Sequence, residues 1–376
     1  MPHIIIIGCG IIGASIAYEL SREPQFQVTV LDRQPPAQEA TGAALGVLMG
    51  IISQKLKGRA WAMRQSSMQR YGTLIPELEG MTGQKIPWNR QGILKLLFEA
   101  DDRAKWQRLA EIRQSQGWQL ELWDCEQVRS HCPQIQNPRV TGAVYSPDDR
   151  QVNPTALTQA LVTAAQRNGV TFRFDAQVTR FASHSNPMGQ FPGVQMQLAN
   201  ETLSADWVIV AAGLGSTELT QTMEHPIALQ PVLGQAMRVK LPEPMGDRTF
   251  QPVITGEDIH VVPLGQAEYW VGATVEFPAE SNQATLEAMK QEAMKTDRLE
   301  TVWQGAIALC PELAQATLLS TWSGVRPRPH NRPAPIVEPM TGYANVLLAT
   351  GHYRNGVLLA PATAQMVRSM LLSASS

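Results

Sequence analysis

The run Ile4-Ile5-Ile6-Ile7 passes directly into Gly8-Cys9-Gly10-Ile11-Ile12-Gly13, and this junction constrains the fold more than any other stretch of the chain. Four consecutive apolar residues before a glycine read as a strand buried on both faces, and the apolar pattern after Gly10 reads as a helix. The three glycines divide the work of a dinucleotide turn. Gly8 permits the sharp bend, Gly10 lets backbone approach a pyrophosphate, and Gly13 lets the helix lie close on the strand. The free N–H groups and the positive end of the helix then face the anion. A second strand, Val28-Thr29-Val30-Leu31, ends in Asp32, 19 residues after Gly13 (32 minus 13). An acid at that spacing accepts hydrogen bonds from a ribose hydroxyl pair. A lone glycine fingerprint is weak evidence, but strand, turn, helix, strand and acid occur here in order.

The chain has 376 residues, more than one core usually serves, so two domains are expected. Its 31 Lys and Arg against 33 Asp and Glu give a net charge of -2, which offers no general attraction to nucleic acid or an anionic membrane. Cys9, Cys125, Cys132 and Cys310 form no CxxC pair and no zinc-type cluster with histidine, so reduced and mostly buried thiols are expected and no metal site. The first apolar run ends in glycine after four residues, unlike a secretory signal, and no stretch reaches the ~18 uninterrupted apolar residues of a membrane span. These features lead to the expectation of a cytoplasmic protein without an integral span that acts on a small molecule. Homo-oligomers remain compatible with the sequence.

Three further stretches carry information. From Ala40 to Gly50 small side chains dominate, which suits backbone lying against a bulky planar ligand or, equally, a tight helix–sheet contact. Trp207-Val208-Ile209-Val210 is a buried-type strand that ends in Ala211-Ala212-Gly213, the pattern of a parallel strand whose carboxyl end meets a ligand. Val346 to Thr350 repeats that pattern, and Gly351 to Val357 then opens a helix reaching Leu372. Helices are expected over 60–80, over 101–117, after the Asn153-Pro154 cap up to Asn168-Gly169, and between 283 and 310. Strands are expected at 91–98, 143–145, 170–174 and 177–181, and three more between Pro231 and Phe277 form an antiparallel sheet. A polar loop is expected at 183–193. Thr321 to Val325 reads as a strand leading into a segment, Arg326 to Pro333, too basic and proline-rich to be core.

The expected architecture is α/β: a discontinuous Rossmann-like nucleotide domain from residues 1–80, 150–222 and 323–376, with a second domain of antiparallel sheet and helices from 81–149 and 223–322. No internal repeat of 20 to 50 residues is visible.

Taken together, Gly8 to Gly13 with Asp32, the Ala40 to Gly50 run, Ala211-Ala212-Gly213, Gly324-Val325-Arg326-Pro327 and Gly351-His352-Tyr353-Arg354-Asn355-Gly356-Val357-Leu358-Leu359-Ala360-Pro361 resemble the amine-oxidising flavoprotein family. That family contains D-amino-acid oxidase, sarcosine oxidase and the glycine oxidase of thiamine biosynthesis, and the likeness is nearest to the last. The resemblance spans nearly the whole chain and implies FAD as cofactor. It implies cofactor contacts at Gly8, Gly10, Ile11, Ile12 and Gly13, at Asp32 and Arg33, and at Thr41, Gly42, Ala43, Ala44, Gly46, Val47 and Leu48. Val178 would meet the adenine, and Ala211, Ala212, Gly213, Arg354, Asn355, Gly356, Val357 and Leu358 complete the set. By the same resemblance Arg326 binds a substrate carboxylate, for which a guanidinium offers a planar fork, and Arg354 lies beside flavin and substrate. Arg328 and Arg332 lack that support and are read as solvated.

Two positions depart from the glycine oxidase pattern: His260 stands where a tyrosine is found, and Val275 where a methionine is found. Both would line the substrate side, so the amino acid preferred is open. An unperturbed imidazole at 260 would change charge near pH ~6.5. Sarcosine oxidases attach FAD through a cysteine beyond the Gly-x-Arg-Pro segment, and no cysteine follows Cys310, so non-covalent FAD is implied. The implied reaction is oxidation of a small amino acid (glycine, sarcosine or a small D-amino acid) with dioxygen as acceptor. The alternative is a D-amino-acid or D-proline dehydrogenase that passes electrons to a quinone.

Overall fold

The structure is a computed structural model that describes residues 1–99, 101–184, 193–278, 286–293 and 297–374. The isoleucine run forms strand β1 (His3–Ile7), followed by helix α1 (Ile11–Leu20) and strand β2 (Gln27–Leu31). β1 lies at the middle of a six-stranded sheet, parallel to β2 on one side and to Trp207–Val210 on the other. Thr171–Arg173 and Val346–Thr350 extend it as further parallel strands, and Ile336–Pro339 closes one edge antiparallel. Alternate residues of β1 serve two cores. Ile4 and Ile6 meet α1, α3 (Gly58–Thr82), Pro154–Arg167 and Gly356–Ala374, whereas Ile5 and Ile7 meet the three-stranded sheet of residues 180–184, 193–197 and 202–205. Burial on both faces explains an uninterrupted apolar run where a one-sided sheet would alternate.

The second sheet has eight strands, in the order 317–329, 229–240, 268–272, 259–265, 253–256, 93–97, 142–146 and 121–123. The three strands expected between Pro231 and Phe277 pair antiparallel as expected, and of the remaining pairings only that of 253–256 with 93–97 is parallel. One face packs on the helix Arg298–Leu309 and the short helix Cys125–His131, and the other faces the six-stranded sheet's ligand end. A small sheet joins the two bodies: β3 (Val47–Leu48), after the short helix α2 (Glu39–Gly42), pairs with Arg150–Val152, which pairs with Trp88–Asn89.

The helix expectations at 60–80, 101–117 and 153–168 correspond to Gly58–Thr82, Arg103–Ser115 and Pro154–Arg167, the last capped by Asn153 through its side chain. The strand expected at 177–181 begins only at Arg180, and the polar loop expected beyond it falls at 185–192, outside the described residues. Likewise, the first residues of the helical run expected from 283 lie outside them, and Leu286–Ala293 and Arg298–Leu309 are helical.

One expectation is corrected outright. The strand expected to stop at Val325 runs from Thr317 to Pro329, paired with Leu229–Lys240 with one register shift at Leu319. The prolines are tolerated because this is the sheet's edge strand, where one row of N–H groups has no ladder partner. Pro327 and Pro329 are buried, Arg326 is half-buried, and the division expected at residue 323 falls inside the strand. The helix Gly356–Ala374 is, among the described residues, long and apolar enough to cross a membrane, but Val357 to Ala362 and Val367 lie in the main core against α1 and α3.

Candidate active site

A cavity of about 470 Å³ runs from the turn after β1 to the near face of the eight-stranded sheet. Its first end is built of backbone. Gly8 has φ +107°, and a Cβ there would stand 2.5 Å from the carbonyl oxygen of Ala211. A Cβ on Gly13 would stand 1.9 Å from the Gly8 oxygen, and one on Gly46 would stand 1.8 Å from the Val152 oxygen. Side chains at these positions would therefore force apart the layers that shape the cleft. The Asp32 carboxylate accepts from Cys9 N–H at 2.6 Å and Gln34 N–H at 2.9 Å, which fixes the acid across the mouth of the turn. Burial raises its pKa, against the opposing pull of these hydrogen bonds. Thr41 Oγ1 accepts from Ile11 N–H at 3.0 Å, so one donor of the α1 terminus is already used and Thr41 ties α2 to α1.

Lining this end are Gly8, Gly10, Ile11, Ile12, Asp32, Arg33, Thr41, Ala43, Ala44, Gly46, Val47, Val178, Ala211, Ala212 and Gly213. Arg354, Asn355, Gly356, Val357 and Leu358 line it from the other side. Three residues expected at the cofactor do not line the cavity. Gly13 lies one turn into α1, under Gly8, where it serves packing; Gly42 is exposed at the end of α2 against the Ala37 carbonyl; and Leu48 is fully buried in the main core because β3 alternates Val47 towards the cavity and Leu48 away.

The opposite end is built of side chains. His260 lies in register between Thr255 and Gly272 on neighbouring strands, on the sheet face that looks into the cavity. Arg326 crosses beneath it: Nη1 donates to the carbonyls of Leu233 at 3.0 Å and Thr274 at 3.1 Å. The guanidinium occupies the space above Gly234, where a Cβ would meet Nη1, Nη2 and Cζ within 2.4 to 2.6 Å. Burial, and then the Arg354 charge, hold Arg326 below the ordinary arginine pKa. Arg354 forms an ion pair with Asp258 at 3.2 Å.

His260 is pushed down to about 4, first by burial and next by Arg354, with Arg326 and Lys95 adding to the effect and Asp258 opposing it. The titration near pH 6.5 expected of an unperturbed imidazole is thus corrected: the ring is neutral from pH ~5.5 upward. Its Nδ1 is buried and has no hydrogen-bond partner among the described residues. Val275 is likewise corrected, since it does not line the cavity. Thr274 and Glu276 turn to the buried side, where Thr274 Oγ1 donates to Glu276 at 2.7 Å and Gln235 Nε2 donates to the same carboxylate at 2.9 Å. Ala273 lines the cavity instead.

Sequence reasoning missed Gly234, Ala273, His352 and Tyr353 as lining residues. Only tertiary pairing gives Gly234 its meaning. His352 Nε2 shares a hydrogen bond with Thr363 Oγ1 at 2.9 Å, and burial first, then Arg59, push its pKa down to about 3. Arg328 is exposed, as expected, with its guanidinium 5.3 Å from the Phe277 ring centre and 5.6 Å from that of Tyr353.

A backbone cradle with an acid at its rim, joined to a chamber that contains a half-buried guanidinium, is the arrangement of a dinucleotide-dependent enzyme. The family described as FAD dependent oxidoreductase (DAO) matches residues 3–370, and the chain belongs to it; FAD is its cofactor. The bifunctional protein ThiO/ThiG of Synechocystis sp. is 32% identical over 98% of this chain and 51% of its own length. The chain therefore spans about half the length of such relatives. Glycine oxidase of Pseudomonas putida is 27% identical over 99% of this chain and 95% of its own. In fold, the crystal structure of glycine oxidase from Geobacillus kaustophilus superposes with a TM-score of 0.84 at 23% identity, covering 99% of this chain and 95% of that one.

Proposed function

We propose that this chain oxidises a small primary or secondary α-amino acid, such as glycine, sarcosine or a small D-amino acid, at the Arg326 end of the cavity. The carbon–nitrogen bond becomes an imine as the α-hydrogen leaves with two electrons. Water then releases the keto or glyoxylic acid and ammonia or an amine, and dioxygen takes the electrons and two protons as hydrogen peroxide. The observation that carries this reading is the half-buried Arg326, which lines a cavity continuous with the dinucleotide turn. The similarity to curated glycine oxidases along the full length of both chains supports it.

In this reading the residues present fit FAD held without a covalent bond. Asp32 takes a ribose, the α1 terminus the pyrophosphate, Val178 the adenine, and residues 354–358 the ring system together with Ala43 to Val47. FAD, when bound, supplies the acceptor for a hydride from the substrate. Arg326, its Nη1 pinned by two carbonyls, offers the rest of its fork to the carboxylate and so orients the α-carbon. The carboxylates that line the cavity among the described residues are Asp32, just after β2, Glu39 on α2 and Glu218 on the helix Gly215–Thr220. Hydride loss from a neutral amine needs no strong base there. His260, kept neutral, serves as a hydrogen-bonding wall rather than a charge.

Anaerobic mixing with glycine, sarcosine, D-alanine and D-proline tests the proposal: at least one should bleach the flavin, and admitting air should restore the colour with one hydrogen peroxide per substrate. No bleaching by any of them contradicts amino-acid oxidation. Slow recovery in air but fast recovery with a quinone would contradict the oxygen acceptor alone.

A further inference from the structure

Immediately after β3 the chain makes a bend at residues 50–55 that belongs to neither sheet, buried at Gly50 to Ile52 and exposed from Gln54, and two buried charges hold it. Asp149, fully buried in the turn before Arg150–Val152, accepts from three successive N–H groups: Gly50 at 2.7 Å, Ile51 at 2.8 Å and Ile52 at 2.9 Å. Arg113, fully buried on the helix Arg103–Ser115, donates to the carbonyls of Ile51 at 2.8 Å, Ser53 at 2.7 Å and Lys55 at 2.8 Å. The guanidinium lies 3.5 Å from the centre of the Trp61 ring. Ile51 thus gives its N–H to the acid and its C=O to the base. Buried backbone outside a helix or sheet needs internal partners, and charged ones make the strongest such bonds.

The bend adjoins the cavity. Val47 and Met49 line it just before the bend begins, and a Cβ on Gly50 would stand 2.5 Å from Met68 Cγ and 3.5 Å from Leu358 Cδ1, itself part of the cavity wall. We propose that Asp149, working with Arg113, is a positioning residue for the cofactor: by locking the backbone of residues 50–55 it fixes the cavity wall at Gly46, Val47 and Met49. Neither side chain lines the cavity, so the action is through the backbone. The inference rests on this cavity being the one that holds FAD, not on which amino acid is oxidised.

Charge is part of the lock. Among the described residues, the ionic groups around Asp149 are Arg113 and Arg150, with Arg64 behind Arg113 and with Asp148 and Arg90 beside Arg150. Burial pushes the Asp149 carboxyl up to about 6, against the hydrogen bonds that favour its anion. As pH falls through that value the carboxylate gains a proton, one oxygen becomes a donor facing N–H groups, and the wall loosens.

The test measures FAD dissociation from the holoenzyme and the visible flavin spectrum between pH 5 and pH 8, with the melting temperature followed in parallel. Wild type should lose FAD affinity and shift its spectrum as pH drops through ~6. Asp149→Asn should bind FAD at least about tenfold more weakly at pH 7, with no pH 6 transition left. Arg113→Lys, which keeps the charge but cannot serve the same carbonyls, should weaken FAD similarly, and it carries the test if Asp149→Asn does not fold. Variants that melt earlier but keep wild-type FAD affinity, spectrum and pH profile would overturn the proposal and leave Asp149 a part of the scaffold only. A wild-type protein without releasable FAD would contradict the cofactor assignment, not the lock.

Discussion

The two ends of one cavity are made in opposite ways. At the cofactor end the chain supplies backbone, helix terminus and absent side chains; at the substrate end it supplies three side chains, His260, Arg326 and Arg354, from distant segments of sequence. The first end is intolerant of added atoms, and the charges that matter to it, Asp32 and Asp149, hold backbone N–H groups. The second should tolerate substitution without losing the cofactor, while its chemistry changes. On the proposed function, retention of FAD and recognition of substrate are therefore expected to be separable.

The largest effect that could break this comparison is Gly8→Val. The new side chain meets the Ala211 carbonyl and requires φ +107° of a β-branched residue. A loss of more than roughly 3 kcal/mol in stability, with no FAD retained, is expected from denaturant titration and flavin content. A stable, yellow Gly8→Val protein would show that the turn is not the cradle.

Gly234→Ala sharpens the comparison from the other end. The added methyl displaces the Arg326 guanidinium, the far end of a flexible side chain, so the chain should fold and bind FAD normally. KM for the amino acid should rise about tenfold, the order of one hydrogen bond lost. An unchanged KM would mean that the guanidinium's place over Gly234 is irrelevant to binding.

The smallest effect concerns His260. Its pKa of about 4 lies below the free value of 6.5, so the unfolded chain takes up a proton between those values while the folded one does not. Stability should therefore fall as pH drops from ~6.5 to ~4, and His260→Gln should remove its share of that dependence while that of His352 remains. Between pH 5.5 and pH 8 the variant's kcat/KM profile should keep the wild-type shape, with any limb near pH 6 intact. Loss of a limb in that range would show that the imidazole titrates during turnover.

The same division explains what was legible in the sequence. Gly8, Gly10, Gly13 and Asp32 announce themselves because a dinucleotide turn is a local object with local spacing. The Asn153 cap and the α3 stripe of Trp61, Met68, Tyr71 and Leu74 are local too. Arg326, by contrast, stands in a segment whose prolines and charges read as surface; only its pairing as an edge strand with Leu229–Lys240 makes it an inward-facing residue. Val275 was misread because regular alternation breaks after Gly272, where Thr274 and Glu276 turn inwards to Gln235. Leu48 was grouped with its neighbours along the sequence, although β3 sends it to the opposite face. Asp149 and Arg113 gave no signal, because their partners are backbone atoms almost a hundred and about sixty residues away.

The central claim, that the end containing Arg326 recognises the substrate independently of the cofactor end, is tested most directly by anaerobic reductive titration of wild type and Arg326→Leu side by side. Both should contain the same FAD. The amino-acid concentration for half-bleaching should rise about 10- to 150-fold in the variant, the effect of charge-assisted hydrogen bonds worth roughly 1.5 to 3 kcal/mol. Equal half-bleaching concentrations for every amino acid that reduces the wild type would contradict the account.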